Sequence, residues 1–155
     1  MPSSLRVSGI VAVAVLVASL AMAVPASADQ AFPTQRIPLS PVADAPLKSG
    51  AVIDIHTQGP TIYAQERYVL LGAEPGVTYQ VTLLVYSDPA CTAFLFPVPT
   101  ATMTTNAAGN AHGKATFSPQ DVEGLLRTTY YIDWQVSVQG GAVAYSTGCI
   151  PVTLD

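Results

Sequence analysis

The chain has 155 residues, of which 50% are hydrophobic and only 10% charged, and its formal net charge is −4. Apart from Arg6 its cations stand singly, at Arg36, Lys48, Arg67, Lys114 and Arg127. That spacing excludes phosphate-backbone binding of nucleic acid and disfavours anionic membrane surfaces.

A polar start ending in Arg6 is followed by an almost unbroken apolar run over residues 7–24, then by Pro25 and Ala26-Ser27-Ala28. A charged segment, an apolar segment and small side chains at an A-x-A site make a cleavable export signal, residues 1–28, cut before Asp29. An apolar run of about 18 residues can just span a bilayer core, but Pro25 and the A-x-A site favour cleavage over a retained anchor. The remainder is expected to be secreted. It is one charge more negative and, at about 127 residues, has the size of a single domain. Abundant Ala, Val, Thr, Gly and Pro resemble secreted proteins of GC-rich bacteria.

Residues 29–50 contain Pro33, Pro38, Pro41 and Pro46 and few large apolar side chains. They predict an extended arm or linker rather than a helix, with a short edge strand available at Ile37 to Leu39. The domain proper is expected over residues 51–155, where apolar residues recur at every second position, the period of a strand with one buried face.

The alternation is clearest over residues 77–86, with Val77, Tyr79, Val81, Leu83 and Val85 on one face and Thr78, Gln80 and Thr82 on the other. Residues 129–138 repeat it, with Tyr130, Ile132, Trp134, Val136 and Val138 inward. Weaker strands are predicted at residues 52–56, 66–72, 100–105, 112–117, 142–147 and 150–154. Glu74-Pro75-Gly76, the segment Asn106 to Asn110 around Gly109, and Gln139-Gly140-Gly141 carry turn chemistry. Ser118, Pro119, Asp121 and Glu123 predict one helical turn ending at Gly124. These elements describe an all-β fold, an antiparallel immunoglobulin-like sandwich of about seven strands with one short helical turn.

Cys91 and Cys149 are the two cysteines, and in an oxidising compartment a disulfide is expected. It would close a loop of about 58 residues, for which chain entropy gives about 4 kcal/mol. A metal pair is the weaker alternative, since zinc takes four ligands and the histidines number only two, His56 and His112. No metal or cofactor is expected.

Over residues 125–136 the pattern L-x-x-T-x-Y-x-I-x-W-x-V resembles the start of strand F in fibronectin type III and related immunoglobulin-like domains. The resemblance implies that Tyr130 is a buried corner residue whose hydroxyl bonds backbone a few residues upstream. Cys91 and Cys149 depart from the antibody pattern, so the bridge is expected to pin the loop over residues 87–99 to the last strand. A second likeness is to the secreted neocarzinostatin-type chromoproteins, carried by Gly72, Gly76, Tyr79 and Thr104-Thr105-Asn106-Ala107-Ala108-Gly109-Asn110-Ala111. That family usually has two disulfides where this chain can form one. The likeness implies a small-ligand carrier with a cleft at one end of the sandwich.

Asp54 and His56 share a strand face, where a carboxylate can orient an imidazole as a general base. No G-x-S-x-G elbow supplies a nucleophile, so a solvated face is the expectation and no enzyme is predicted. His112 and Lys114 read as outward residues. Ala111, Gly113 and Ala115 leave inward room for Trp134 or Tyr130, or else for a ligand. Tyr63, Tyr86 and Tyr131 are candidate exposed aromatics for binding. Phe94, Leu95 and Phe96 are the candidate binding loop, with a lid over the core as the alternative. The expected function is a noncatalytic secreted module binding an extracellular protein or polymer, and the alternative is the small-ligand carrier.

Overall fold

Strands form where the side chains alternate, and glycine marks several of the connections, with positive φ at Gly72, Gly76, Gly109, Gly140 and Gly148. The computed structural model describes residues 34–56 and 62–154. The expected export signal, its cut after Ala28 and the start of the Pro-rich arm lie outside the described residues.

The elements in chain order are β1 (Gln35–Pro38), β2 (Ser40–Pro41), β3 (Ser49–His56), β4 (Ala64–Leu71), β5 (Thr78–Tyr86), β6 (Phe94–Thr104), β7 (Ala111–Phe117), α1 (Pro119–Val122), β8 (Thr128–Val138), β9 (Val143–Ser146) and β10 (Ile150–Leu154). They build an all-β fold of two antiparallel sheets. One sheet runs β1-β3-β4-β7; the other runs β2-β9-β8-β5-β6, with β10 also paired to β8. The central strands β5 and β8 bury most of the faces that alternation assigns to them, Tyr79, Val81, Leu83 and Val85, and Ile132, Trp134 and Val136, while Val77 and Tyr130 are half-buried and Val138, expected inward, is exposed.

Among the described residues ten strands stand where about seven were expected. β9 and β10 are the two separate pieces expected over residues 142–147 and 150–154, divided at Gly148, whose φ is 69°, and both pair with β8; the excess comes from the N-terminal segment. The segment expected to be a free arm is extended but paired: β1 joins β3, β2 joins β9, and Ile37 of β1 and Leu39, which links the two strands, are buried in the core. A short extended piece with two large apolar side chains gains more by closing both sheet edges than by remaining in water.

A second correction concerns β6. Residues 94–99, expected as part of the loop over residues 87–99, pair with β5 instead, Pro97 opposite Leu84 and Pro99 opposite Thr82. β6 is the outermost strand of its sheet, where a missing N–H on the solvent side disturbs no ladder. The loop shrinks to residues 87–93, folded around Asp88, whose carboxylate accepts from the N–H groups of Ala90, Thr92 and Ala93. These donors hold the Asp88 carboxyl below its usual range.

Cys91 lies in that turn and Cys149 at the break between β9 and β10, joined by a disulfide. The helical turn follows its sequence signals, with the Ser118 N–H donating to Asp121 at 2.7 Å and Val122 buried beneath it.

Candidate functional site: a cavity between the sheets

Strand alternation places polar as well as apolar residues on the inner faces. On β3 the inward set is Val52, Asp54 and His56; on β4 it is Ala64, Glu66, Tyr68 and Leu70. Asp54 and Glu66 are cross-strand partners, so their carboxyl groups leave neighbouring backbone positions on one face. They are 5% and 3% exposed. Asp54 and His56 therefore do not form the solvated face expected of them: the pairing register turns them between the sheets.

Above them lies a cavity of about 590 Å³. One wall comes from β3, β4 and β7, the other from Leu83 and Val85 of β5, Phe96 and Val98 of β6, Ile132 and Trp134 of β8, and Val152 of β10. Val122 of α1, Phe117 and Tyr130 also border it. The volume falls in the range of roughly 300 to 1,000 Å³ in which small-molecule sites are found, and the mixture of apolar walls with a few convergent polar groups is also that of such sites.

The polar groups form one connected set. Glu66 Oε1 accepts the indole N–H of Trp134 at 3.0 Å, and the Tyr68 hydroxyl bonds Glu66 Oε2. The same hydroxyl lies 2.8 Å from Thr100 Oγ1, which is 3.3 Å from the carbonyl oxygen of Val81. Thr100 reaches this position because the β5–β6 register slips between Val81 and Thr82, a bulge that turns the extra residue toward the interior.

Burial pushes the Glu66 carboxyl up to about 7; the neighbouring Asp54 charge adds to this, while the bonds from Tyr68 and Trp134 and the nearby His56 oppose it. One phenol proton cannot serve two acceptors. With Glu66 ionised, Tyr68 donates to it and Thr100 to Val81; with Glu66 protonated, the proton chain runs from Glu66 through Tyr68 and Thr100 to Val81. Burial and the adjacent carboxylate hold the Tyr68 phenol well above its usual range, so it stays a donor.

Asp54 Oδ2 lies 3.1 Å from His56 Nε2, the only ion pair among the described residues. Asp54 Oδ1 accepts no hydrogen bond among the described residues, and since no buried side-chain nitrogen or oxygen is left unpaired there, this oxygen is the one open to solvent. The His56 ring packs on Tyr63, centroids 5.6 Å apart. Among the described residues no group of three or more His, Cys, Asp or Glu side chains is arranged to hold a metal ion.

The residues singled out from sequence divide between this cavity and the outside. Tyr63 and Phe96 border the cavity. Phe94 and Leu95 are 52% and 44% exposed on β6, neither loop nor lid. Tyr86 is paired with Tyr131 on the outer face and meets Phe94 edge-on at 5.7 Å. Cys91 and Cys149 join the β5–β6 turn to the break in the last strand.

Tyr130 is half-buried against the cavity, and its hydroxyl makes no hydrogen bond among the described residues, so the corner bond implied by the fibronectin likeness is absent. Ala111 is buried and Gly113 lies under Tyr68, whose ring carbon would be 3.3 Å from an added Cβ; Ala115 alone of the three borders the empty space. Glu66, Tyr68 and Thr100 were not singled out from sequence. The available signal was phase: Glu66 shares its parity with Ala64, Tyr68 and Leu70 on a strand whose inner face is otherwise apolar. No protein family, curated protein or solved structure matches this chain.

Proposed function

We propose that this protein is a secreted, noncatalytic immunoglobulin-like module that holds a small, largely apolar molecule between its sheets. The observation that carries the reading is the cavity of about 590 Å³, walled by apolar side chains and provided with one buried polar cluster. The connectivity supports the immunoglobulin-like assignment: apart from the added edge strands β1 and β2, β3, β4 and β7 form one layer and β6, β5, β8 and the broken strand β9/β10 the other, a three-plus-four division of the fibronectin type III kind. The leader-like start and the disulfide support export. Fold alone would not supply the function.

Nile red, a neutral apolar dye, tests the reading. It should bind one to one with a rise in its fluorescence, and Ala115→Phe, which fills the space from β7, should abolish that rise while the protein stays folded. Absence of dye binding to the unaltered protein, or unchanged binding by the variant, would refute the carrier reading.

A second reading, recognition of an extracellular protein or polymer, is favoured by one feature, the outer-face cluster of Tyr86, Phe94 and Tyr131. Phe94→Ser removes its most exposed ring. Capture of a partner by the unaltered protein and its loss in this variant, with thermal stability retained, would select this reading over the first.

A further inference from the structure

The polar part of the cavity is weighted toward acidic groups. Two carboxyl groups, Asp54 and Glu66, face it from neighbouring strands and are each more than nine-tenths buried. His56 is paired to one of them, and no Lys or Arg side chain bonds either among the described residues. The remaining titratable neighbours are Tyr63, Tyr68 and Tyr130, with exposed Lys114 and Asp121 bordering from β7 and α1, one charge of each sign. The donors in contact with the cluster are committed: the Trp134 N–H and the Tyr68 hydroxyl both bond Glu66. What is left open is an acceptor, Asp54 Oδ1. A molecule entering here must bring donors, and a positive charge on it would relieve the burial of the carboxylates.

The surrounding rings point the same way. Trp134, Tyr130, Tyr63 and Phe117 border the cavity, and aromatic faces attract cations most strongly where water is excluded. We infer that the ligand of this cavity is an organic amine, a compact apolar body bearing one protonated nitrogen whose N–H groups are taken up by Asp54 and Glu66. This inference rests on the carrier reading and narrows it to one chemical class. The burial that raises the Glu66 carboxyl agrees with it, since an ammonium group would supply the opposite charge that this side chain lacks.

The test is a series of one shape and three charges: adamantylamine, adamantanol and adamantane carboxylate. Trp134 is the only tryptophan of the chain and borders the cavity, so its fluorescence reports binding directly. At about pH 8, where Glu66 is mostly ionised, a charge-assisted bond should make the amine about tenfold tighter than the alcohol, with the carboxylate weakest. Asp54→Asn and Glu66→Gln, measured separately, should each bring the ratio of amine to alcohol affinity close to one.

Equal or weaker binding of the amine than of the alcohol overturns the amine inference and leaves the carrier reading standing. Failure of all three compounds to change Trp134 fluorescence also overturns it, and Nile red then decides the carrier reading on its own. Should both variants fail to fold, the order of the three compounds on the unaltered protein still decides.

Discussion

Leu70, Tyr79, Met103 and Tyr145 fill one end of the sandwich: the two tyrosine rings lie 5.6 Å apart and the Tyr145 hydroxyl donates to the carbonyl oxygen of Pro46 at 2.7 Å. At the other end the same strands diverge around about 590 Å³ of space, with Asp54 and Glu66 in positions equivalent to those apolar residues. The filled end is closed by segments from outside the central strands, Ile37 and Leu39 on one side and Gly109 on the other. An added Cβ at Gly109 would lie 2.0 Å from the carbonyl oxygen of Ala73, so that turn admits only glycine. Among the described residues the hollow end has no such plug. Val122 of the helical turn borders its cavity, and the Cys91–Cys149 bond ties the β5–β6 turn to the break before the final strand. A covalent tie maintains spacing without occupying volume, and this distinguishes an end that stays open from one that collapses shut.

Three changes test this contrast. The largest effect is expected from Cys149→Ser together with Cys91→Ser, which should lower the unfolding free energy by about 4 kcal/mol in denaturant titrations. A loss near zero would mean that the hollow end keeps its shape without the tie.

Next, Leu70→Ala at the filled end should lose about 3 kcal/mol, within the span seen for buried leucines, and Leu83→Ala beside the cavity distinctly less. Leu83 already faces empty space on one side and gives up fewer contacts. Equal losses in paired melts would erase the distinction between the ends.

The third effect is pH-dependent. A carboxyl raised from its ordinary value of 4.5 to about 7 binds its proton more tightly in the folded chain. Its contribution therefore falls as pH rises from about 4.5 to about 7 and is constant above, a loss of roughly 3 kcal/mol. Relative to the unaltered protein, Glu66→Gln should gain that amount across the same window, since its amide can keep the bonds to Trp134 and Tyr68 without the charge. Parallel stability profiles for the two proteins would place Glu66 outside the low-dielectric interior.

Much of the architecture was legible in the chain. Alternation in β5 and β8, the turns at Pro75-Gly76 and Gly140-Gly141, and the cap at Ser118 all act over a few residues, so local chemistry suffices to place them. The edge strand β6 was not legible, because Pro97 and Pro99 are forbidden in a central strand and harmless at an edge, and edge position is a property of the assembled sheet. The candidate site was half visible: Asp54 and His56 stood out as a pair, but on a strand either face can be wet.

Period-two patterning and the paired cysteines are written into the covalent chain and already imply a small antiparallel sandwich stapled once. Which polar residues it would bury was decided in three dimensions. Asp54 and Glu66 share the interior only because β3 and β4 pair in the register that faces Val52 with Tyr68, and a slip of either strand by one residue would turn its carboxyl group into water. The cavity likewise arises from strands distant in sequence that leave volume unfilled between them, and no local pattern records an absence of contact.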